Sequence, residues 1–298
     1  MTKSPHAGSG IGYVLLATLG WSLSGLFVRL MPELDGWQIN CWRGFWMSLA
    51  LLAYLILIHR ADIGARFDEI PFQAVLVSAI CFAAGTTFYV SSLTLTSTAT
   101  VSVIGATSPL ITALLSPWIT GEKPHILAWI SAVLALIGMV VIARDGIELG
   151  HAAGLILSFC VPFTFALQTL LLRKYRNYDM MFAICVGGFF AFLLAGVGSL
   201  VIGHHSPFEI SSKSFYLLML MGPLQLSIPL VFYGMGAKQM QAVSLSLIAM
   251  LDAVFNPFWP WLVVGEKPGT ASLIGGAIIL GAVLLTILGG KIMALRAA

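Results

Sequence analysis

The stretch FYVSSLTLTSTATVSVIGATSPLITALLSPWITGEKP occupies residues 88–124, and VFYGMGAKQMQAVSLSLIAMLDAVFNPFWPWLVVGEKP occupies residues 231–268. Both end in GEKP, at 121–124 and 265–268, an offset of 144 residues. One repeated tetrapeptide carries little weight in a long chain, but the offset recurs. At the same shift Gly10 falls on Gly154, Arg29 on Arg173, Phe88–Tyr89 on Phe232–Tyr233, Ser102 on Ser246 and Ile104 on Ile248. The chain therefore reads as two similar units, residues 10–146 and 151–292.

The solvent for these units follows from composition. Of 298 residues, 59% are hydrophobic and 9% charged, with a mean hydropathy of +0.97. A soluble domain carries about a quarter charged residues, so lipid must surround most of this chain. Runs such as LLAYLILI at 51–58 do not alternate, which excludes barrel strands and leaves helices. Spans of about 20 residues are expected near 11–30, 38–58, 71–91, 97–119, 125–143, 152–172, 180–202, 214–234, 241–263 and 270–290. The first apolar run is too long for a signal-peptide core and reads as a retained helix. The fold class is thus all-α integral membrane, with ten transmembrane helices.

Five spans per unit is an odd number, so the second unit starts from the opposite side of the membrane. The units are then inverted repeats, an architecture of secondary transporters whose substrate site lies near the midplane. With the N-terminus inside, ten Lys and Arg residues fall on the inner side and four on the outer side, Arg29, Arg144, Lys213 and Lys267. Both termini are therefore expected in the cytoplasm.

Several classes are excluded or disfavoured. The net charge of +3 is scattered, so there is no footprint for nucleic acid. Cys41, Cys81, Cys160 and Cys185 lie in apolar stretches without CxxC spacing and read as buried hydrophobes rather than disulfides or metal ligands. All six histidines lie outside or at the rims of the spans, and there is no HExxH and no GxxxxGK[ST]. No membrane enzyme, ATP-driven pump, metal site or cofactor is expected, and a monomer is the expected state. A channel remains the rival from another class, since selectivity filters need not be recognisable.

The two quoted segments, with Arg43, the proline of SPL at 108–110 and the Gly–Glu pairs at 121–122 and 265–266, resemble the paired EamA-type repeats of the drug/metabolite transporter superfamily. The resemblance covers essentially the whole chain. Within that family the chain is most similar to bacterial aromatic amino-acid exporters of YddG type. The resemblance implies a bacterial inner-membrane protein whose fifth and tenth helices pack together at the periphery.

Polar residues at membrane depth are the candidate functional residues. Asp252 is the one carboxylate well inside a span, placed to capture a substrate ammonium or hold a proton, or to fix the ninth helix. Its repeat partner is Ser108. Arg43 is read as an anchor snorkelling to the outer interface, or as a group that attracts carboxylates. On helix one Ala17, Trp21, Ser24 and Val28 form one face, and on helix six Val161, Phe165, Gln168 and Leu172 form the matching face. One aromatic and one polar residue on each side suit a ring-bearing amphipathic solute, with core packing as the alternative. Thr86, Tyr89, Tyr233 and Asn256 complete the candidate set. Prolines inside helices four, six, eight and nine free backbone carbonyls and mark those helices as bending elements or cavity walls. Glu122 and Glu266 are read as structural groups near the start of the helix that follows each GEKP.

With no embedded cation other than Arg43, phosphate-bearing cargo is disfavoured. The expected function is export of amino acids, aromatic or otherwise apolar, by alternating access around a midplane cavity. Efflux of cationic drugs or metabolites on Asp252 is the alternative within the superfamily.

Overall fold

In lipid a backbone has no water to pair with, so an apolar chain must satisfy its own N–H and C=O groups, and helix does this within each segment. The computed structural model describes residues 7–95, 98–143, 152–202, 206–256, 258–265 and 269–297, and among them all regular structure is helical. Lys3, Arg144, Lys267, Pro257, Glu266, Pro268 and the histidines His6, His151, His204 and His205 lie outside the described residues.

Eight described helices are long and apolar enough to cross a membrane. They begin with α1 and α2 (Ala7–Trp21 and Ser24–Leu30), α3 (Gly36–His59) and, after a surface turn holding α4 (Ile63–Asp68), α5 (Phe72–Leu95). Next come α6 and α7 (Thr98–Gly105 and Ser108–Ile119), α8 (Ile126–Ala143), α9 (Ala152–Lys174) and α10 (Met181–Val201). The eighth joins α11 (Ser212–Met221) to α12 (Ile228–Gln239) through a π-helical turn, Gly222–Ser227. Two further apolar stretches are shorter. One, Ala242–Phe255, comprises α13 (Ala242–Ala249) and α14 (Leu251–Phe255) and is followed by α15 (Phe258–Val264). The other, Leu273–Leu288, lies within α16 (Thr270–Ala297).

Local chemistry explains the breaks. Asp35 caps α3 by accepting from the Gln38 N–H at 2.8 Å while the Gln38 side chain returns to the Asp35 N–H, a capping box. Thr18 and Ser22 donate to the carbonyls of Leu15 and Leu19, both at 2.8 Å, and such back-bonding bends helices where α1 gives way to α2. The π turn contains Pro223 and is followed by Pro229, and neither can donate to the ladder. Ser227 satisfies carbonyls there, donating to Met47 O at 3.0 Å and Gly222 O at 3.3 Å.

Packing interleaves helices from the two halves of the sequence. α1 lies against α12, α5 against α9 and α10, and α3 against α10. The expected contact of the fifth and tenth spans is present as α8 on α16, with Gly138 and Gly275 face to face. A Cβ at Gly275 would stand 2.4 Å from the Gly138 carbonyl oxygen, so only glycine allows this approach. The exterior is apolar, with Leu57, Leu200 and Val201 exposed, while Gln38, Asn40, Ser78, Gln168 and Gln225 are buried. An apolar exterior of this kind is what a lipid solvent produces.

Candidate functional site

Where α1 ends, its broken backbone and its last aromatic ring face α9 and α12. Trp21 stands 4.9 Å from the Tyr233 ring and 6.3 Å from that of Phe165, and Phe165 lies 6.1 Å from Tyr233. These distances are in the range of favourable tilted and edge-to-face pairs. Gln225 reaches from the π turn to the Trp21 carbonyl at 3.4 Å, taking up a group that the interrupted helix leaves free.

This cluster walls a cavity of about 200 Å³, lined by Trp21, Arg43, Thr86 and Tyr89 from the first half of the sequence and by Phe165, Gln168 and Tyr233 from the second. A second cavity, of about 270 Å³, is lined by Ser24, Ser102, Ser246, Asp252 and Asn256 among others. Trp21, Tyr89, Val161 and Phe165 belong to both walls, so the cavities adjoin through an aromatic partition. Ligand sites usually measure about 300–1,000 Å³, a range the pair reaches together and neither reaches alone.

Apart from Ala17 and Val28 of the helix-one face, the candidate substrate and charge residues named from sequence line one cavity or the other, with different burdens. Gln168 is buried, its Nε2 donating to Ser78 Oγ at 2.9 Å and its Oε1 accepting from the same hydroxyl at 3.2 Å. Tyr233 is fully buried and its hydroxyl shares a 2.9 Å hydrogen bond with Thr169 Oγ1. Tyr89, its counterpart in the repeat, keeps 36% of its surface exposed, facing the cavities. Thr86 returns its hydroxyl to Ala83 O at 3.1 Å. Asn256 packs on α2 where Gly25 makes room: a Cβ there would stand 2.2 Å from Asn256 Oδ1.

The helix-six face of Val161, Phe165, Gln168 and Leu172 lines the first cavity in full. The helix-one face does not persist. Ala17 is buried and Trp21 and Ser24 face the cavities, but Val28 is exposed on the outside, because the turn between α1 and α2 breaks the register. Arg43 does not snorkel outward. It lines the first cavity, Nη2 donates to Asn40 Oδ1 at 2.8 Å, and its buried Nε has no partner among the described residues. Asp252 lines the second cavity with Oδ1 buried and likewise unpartnered.

Ser78, Thr169 and Asn40 were not singled out from sequence, and each supports a candidate residue from another position. A lone serine or threonine in an apolar run carries no signal, and only the fold pairs Ser78 with Gln168 across 90 positions. Among the described residues no three His, Cys, Asp or Glu side chains group as a metal site.

The profile of the EamA-like transporter family matches the chain twice, over residues 8–144 and over 149–288. The chain belongs to the EamA-like transporter family. It is a multi-pass membrane transporter of that family. One relative, an S-adenosylmethionine uptake transporter of Rickettsia felis, is 22% identical across 95% of this chain and 94% of its own. An uncharacterized transporter of Helicobacter pylori strain J99 is 25% identical across 65% of this chain and 64% of its own. A solved crystal structure, 16% identical, shares the fold at a TM-score of 0.83 over 95% of this chain and 98% of that one.

Proposed function

We propose that this EamA-like protein is a secondary transporter of amino acids that carry an aromatic or other apolar side chain. In this reading ten spans form two inverted five-helix repeats, residues 10–146 and 151–292, in a bacterial inner membrane with both termini cytoplasmic. The repeats rock against one another around the cavity, and export is the direction that the resemblance to aromatic amino-acid exporters implies.

The observation that carries the reading is the cavity itself: Trp21, Phe165 and Tyr233 supply ring faces beside Gln168 and Arg43, between the two units. Aromatic walls with a few convergent polar groups suit a small amphipathic solute. The Rickettsia relative supports the class through its name, S-adenosylmethionine being itself an amino-acid derivative with an aromatic base.

A second reading is favoured by one observation, the unpartnered Asp252 Oδ1, which fits efflux of a cation. Purified protein in proteoliposomes separates the two. Radiolabelled Phe, Trp, Met, Ala, Lys and S-adenosylmethionine are offered beside a quaternary-ammonium dye. Saturable uptake of Phe, Trp or Met with counterflow supports amino-acid transport. Preference for the dye supports cation efflux, and non-saturable flux without counterflow identifies a channel.

A further inference from the structure

Asp252 stands in the second cavity with no answer to its charge. Its Oδ1 is buried without a partner among the described residues, and no basic side chain among them lines that cavity. An ionised carboxylate left alone in a low-dielectric setting is costly, and a positive charge beside it removes the cost. Two hydroxyls in the same wall are of the matching kind. Ser108 donates to Gly105 O at 2.7 Å, in place of the N–H that Pro109 lacks, and Ser246 donates to Val243 O at 3.0 Å. A hydroxyl whose hydrogen is spent on the backbone has only lone pairs left to offer.

The repeat explains why these oxygens meet. At the 144-residue offset Ser102 falls on Ser246 and Ser108 on Asp252, and all four line this one cavity, where α7 packs on α13. Each half of the sequence also brings its helix break there: Gly105 and Ala106 where α6 gives way to α7, Ala249 and Met250 where α13 gives way to α14. Interrupted helices at membrane depth are where transporters hold coupling cations. Carboxylate and hydroxyl oxygens suit a hard cation, and one carboxylate neutralises one positive charge. A monovalent ion thus leaves no net charge in the cavity, whereas a divalent one would. With about 270 Å³ available, the ion has room to keep part of its water.

We propose that the second cavity is a binding site for a partly hydrated alkali cation, with Asp252 supplying the charge and Ser108 and Ser246 supplying further oxygens. Ion and solute then occupy different cavities. Trp21, Tyr89, Val161 and Phe165 wall both, so filling one changes the affinity of the other, and the linkage is reciprocal. This site goes beyond the amino-acid reading and holds whichever solute fills the first cavity.

The test is thermal unfolding of the purified full chain in detergent, without any transported solute, at fixed pH and equal ionic strength. NaCl and KCl are each titrated against N-methyl-D-glucamine chloride. A ligand that binds only the folded chain raises the melting temperature with its concentration. A saturable rise with NaCl or KCl is expected, and none with N-methyl-D-glucamine. In Asp252→Asn the half-saturating concentration should increase about tenfold or more, because the charged partner is lost. Should that variant not fold, the double variant Ser108→Ala, Ser246→Ala must raise the half-saturating concentration severalfold. A rise equal in all three salts, or half-saturation unchanged in the variants, overturns the site. A melting temperature that answers to pH but not to salt gives Asp252 a proton instead and also overturns it. Stabilisation by N-methyl-D-glucamine alone overturns it in favour of organic-cation efflux. No solute is present, so each outcome leaves the amino-acid reading to its own uptake experiment.

Discussion

Arg173 Nε donates to Glu122 Oε1 at 2.6 Å, so the first GEKP loop is tied to the last turn of α9. The same guanidinium donates to the carbonyls of Ala237 and Lys238, both at 3.1 Å, and Glu122 Oε2 accepts from the Ala242 N–H at 3.2 Å. Glu122 thus serves the start of α13, not the helix that follows its own loop. One carboxylate joins the first unit to the ends of α9, α12 and α13, where its negative charge also complements the helix dipole of α13.

The pair is largely buried, with 12% and 19% of the two side chains exposed, so it is not the weak surface ion pair that Arg66 and Glu69 make. Arg173→Gln is expected to lower stability by about 1–3 kcal/mol, and Glu122→Gln by a similar amount. In a double-mutant cycle followed by thermal unfolding in detergent the two effects should be strongly non-additive. Additive losses would mean that the two groups act separately.

Trp21→Ala and Gln168→Ala should each lower amino-acid uptake without loss of folded protein. An aromatic contact is worth about 0.5–1.5 kcal/mol, equivalent to roughly two- to tenfold in affinity. Gln168→Ala also strands the Ser78 hydroxyl, adding a stability loss of about 1 kcal/mol. Initial rates normalised to monodisperse protein check this; wild-type kinetics in both variants would leave the aromatic cluster as core packing.

The glycines of α16 differ in what an added methyl would meet. Gly275→Ala places Cβ 2.4 Å from a backbone oxygen of α8, which cannot swing aside, and a loss of about 1–3 kcal/mol is expected. Gly281→Ala meets nothing within 4 Å and should gain about 0.5–1 kcal/mol from helix propensity. Melting temperatures of opposite sign relative to wild type are the expected readout.

Outside the spans, Glu33 accepts hydrogen bonds from Ser214 and Ser211, and these hold its carboxyl below the usual value of 4.5. A depressed folded-state pKa gives stability that is present above the unfolded value and is lost as pH falls through the folded one. The difference in melting temperature between wild type and Glu33→Gln should therefore be full at pH 7 and shrink on acidification below about pH 4.5. A difference that stays constant through this range would sever Glu33 from the effect.

Sequence alone was enough for the lipid solvent, the helical class and most of the wall residues, because each rests on composition or on periodic spacing. Trp21, Phe165, Gln168 and the tyrosines stand out as polar or aromatic interruptions in apolar helices. Three things needed the tertiary structure. Val28 leaves the helix-one face because hydroxyl back-bonding at Thr18 and Ser22 breaks the register, and no periodicity argument carries through such a turn. Arg43 lines a cavity and donates from Nη2 to Asn40 three residues before it, a placement that its position in the span does not dictate. Glu122 finds Arg173 and Ala242 at separations of 51 and 120 residues. Those pairings are set by how helices cross, and local sequence determines which face a helix buries but not which neighbour comes to meet it.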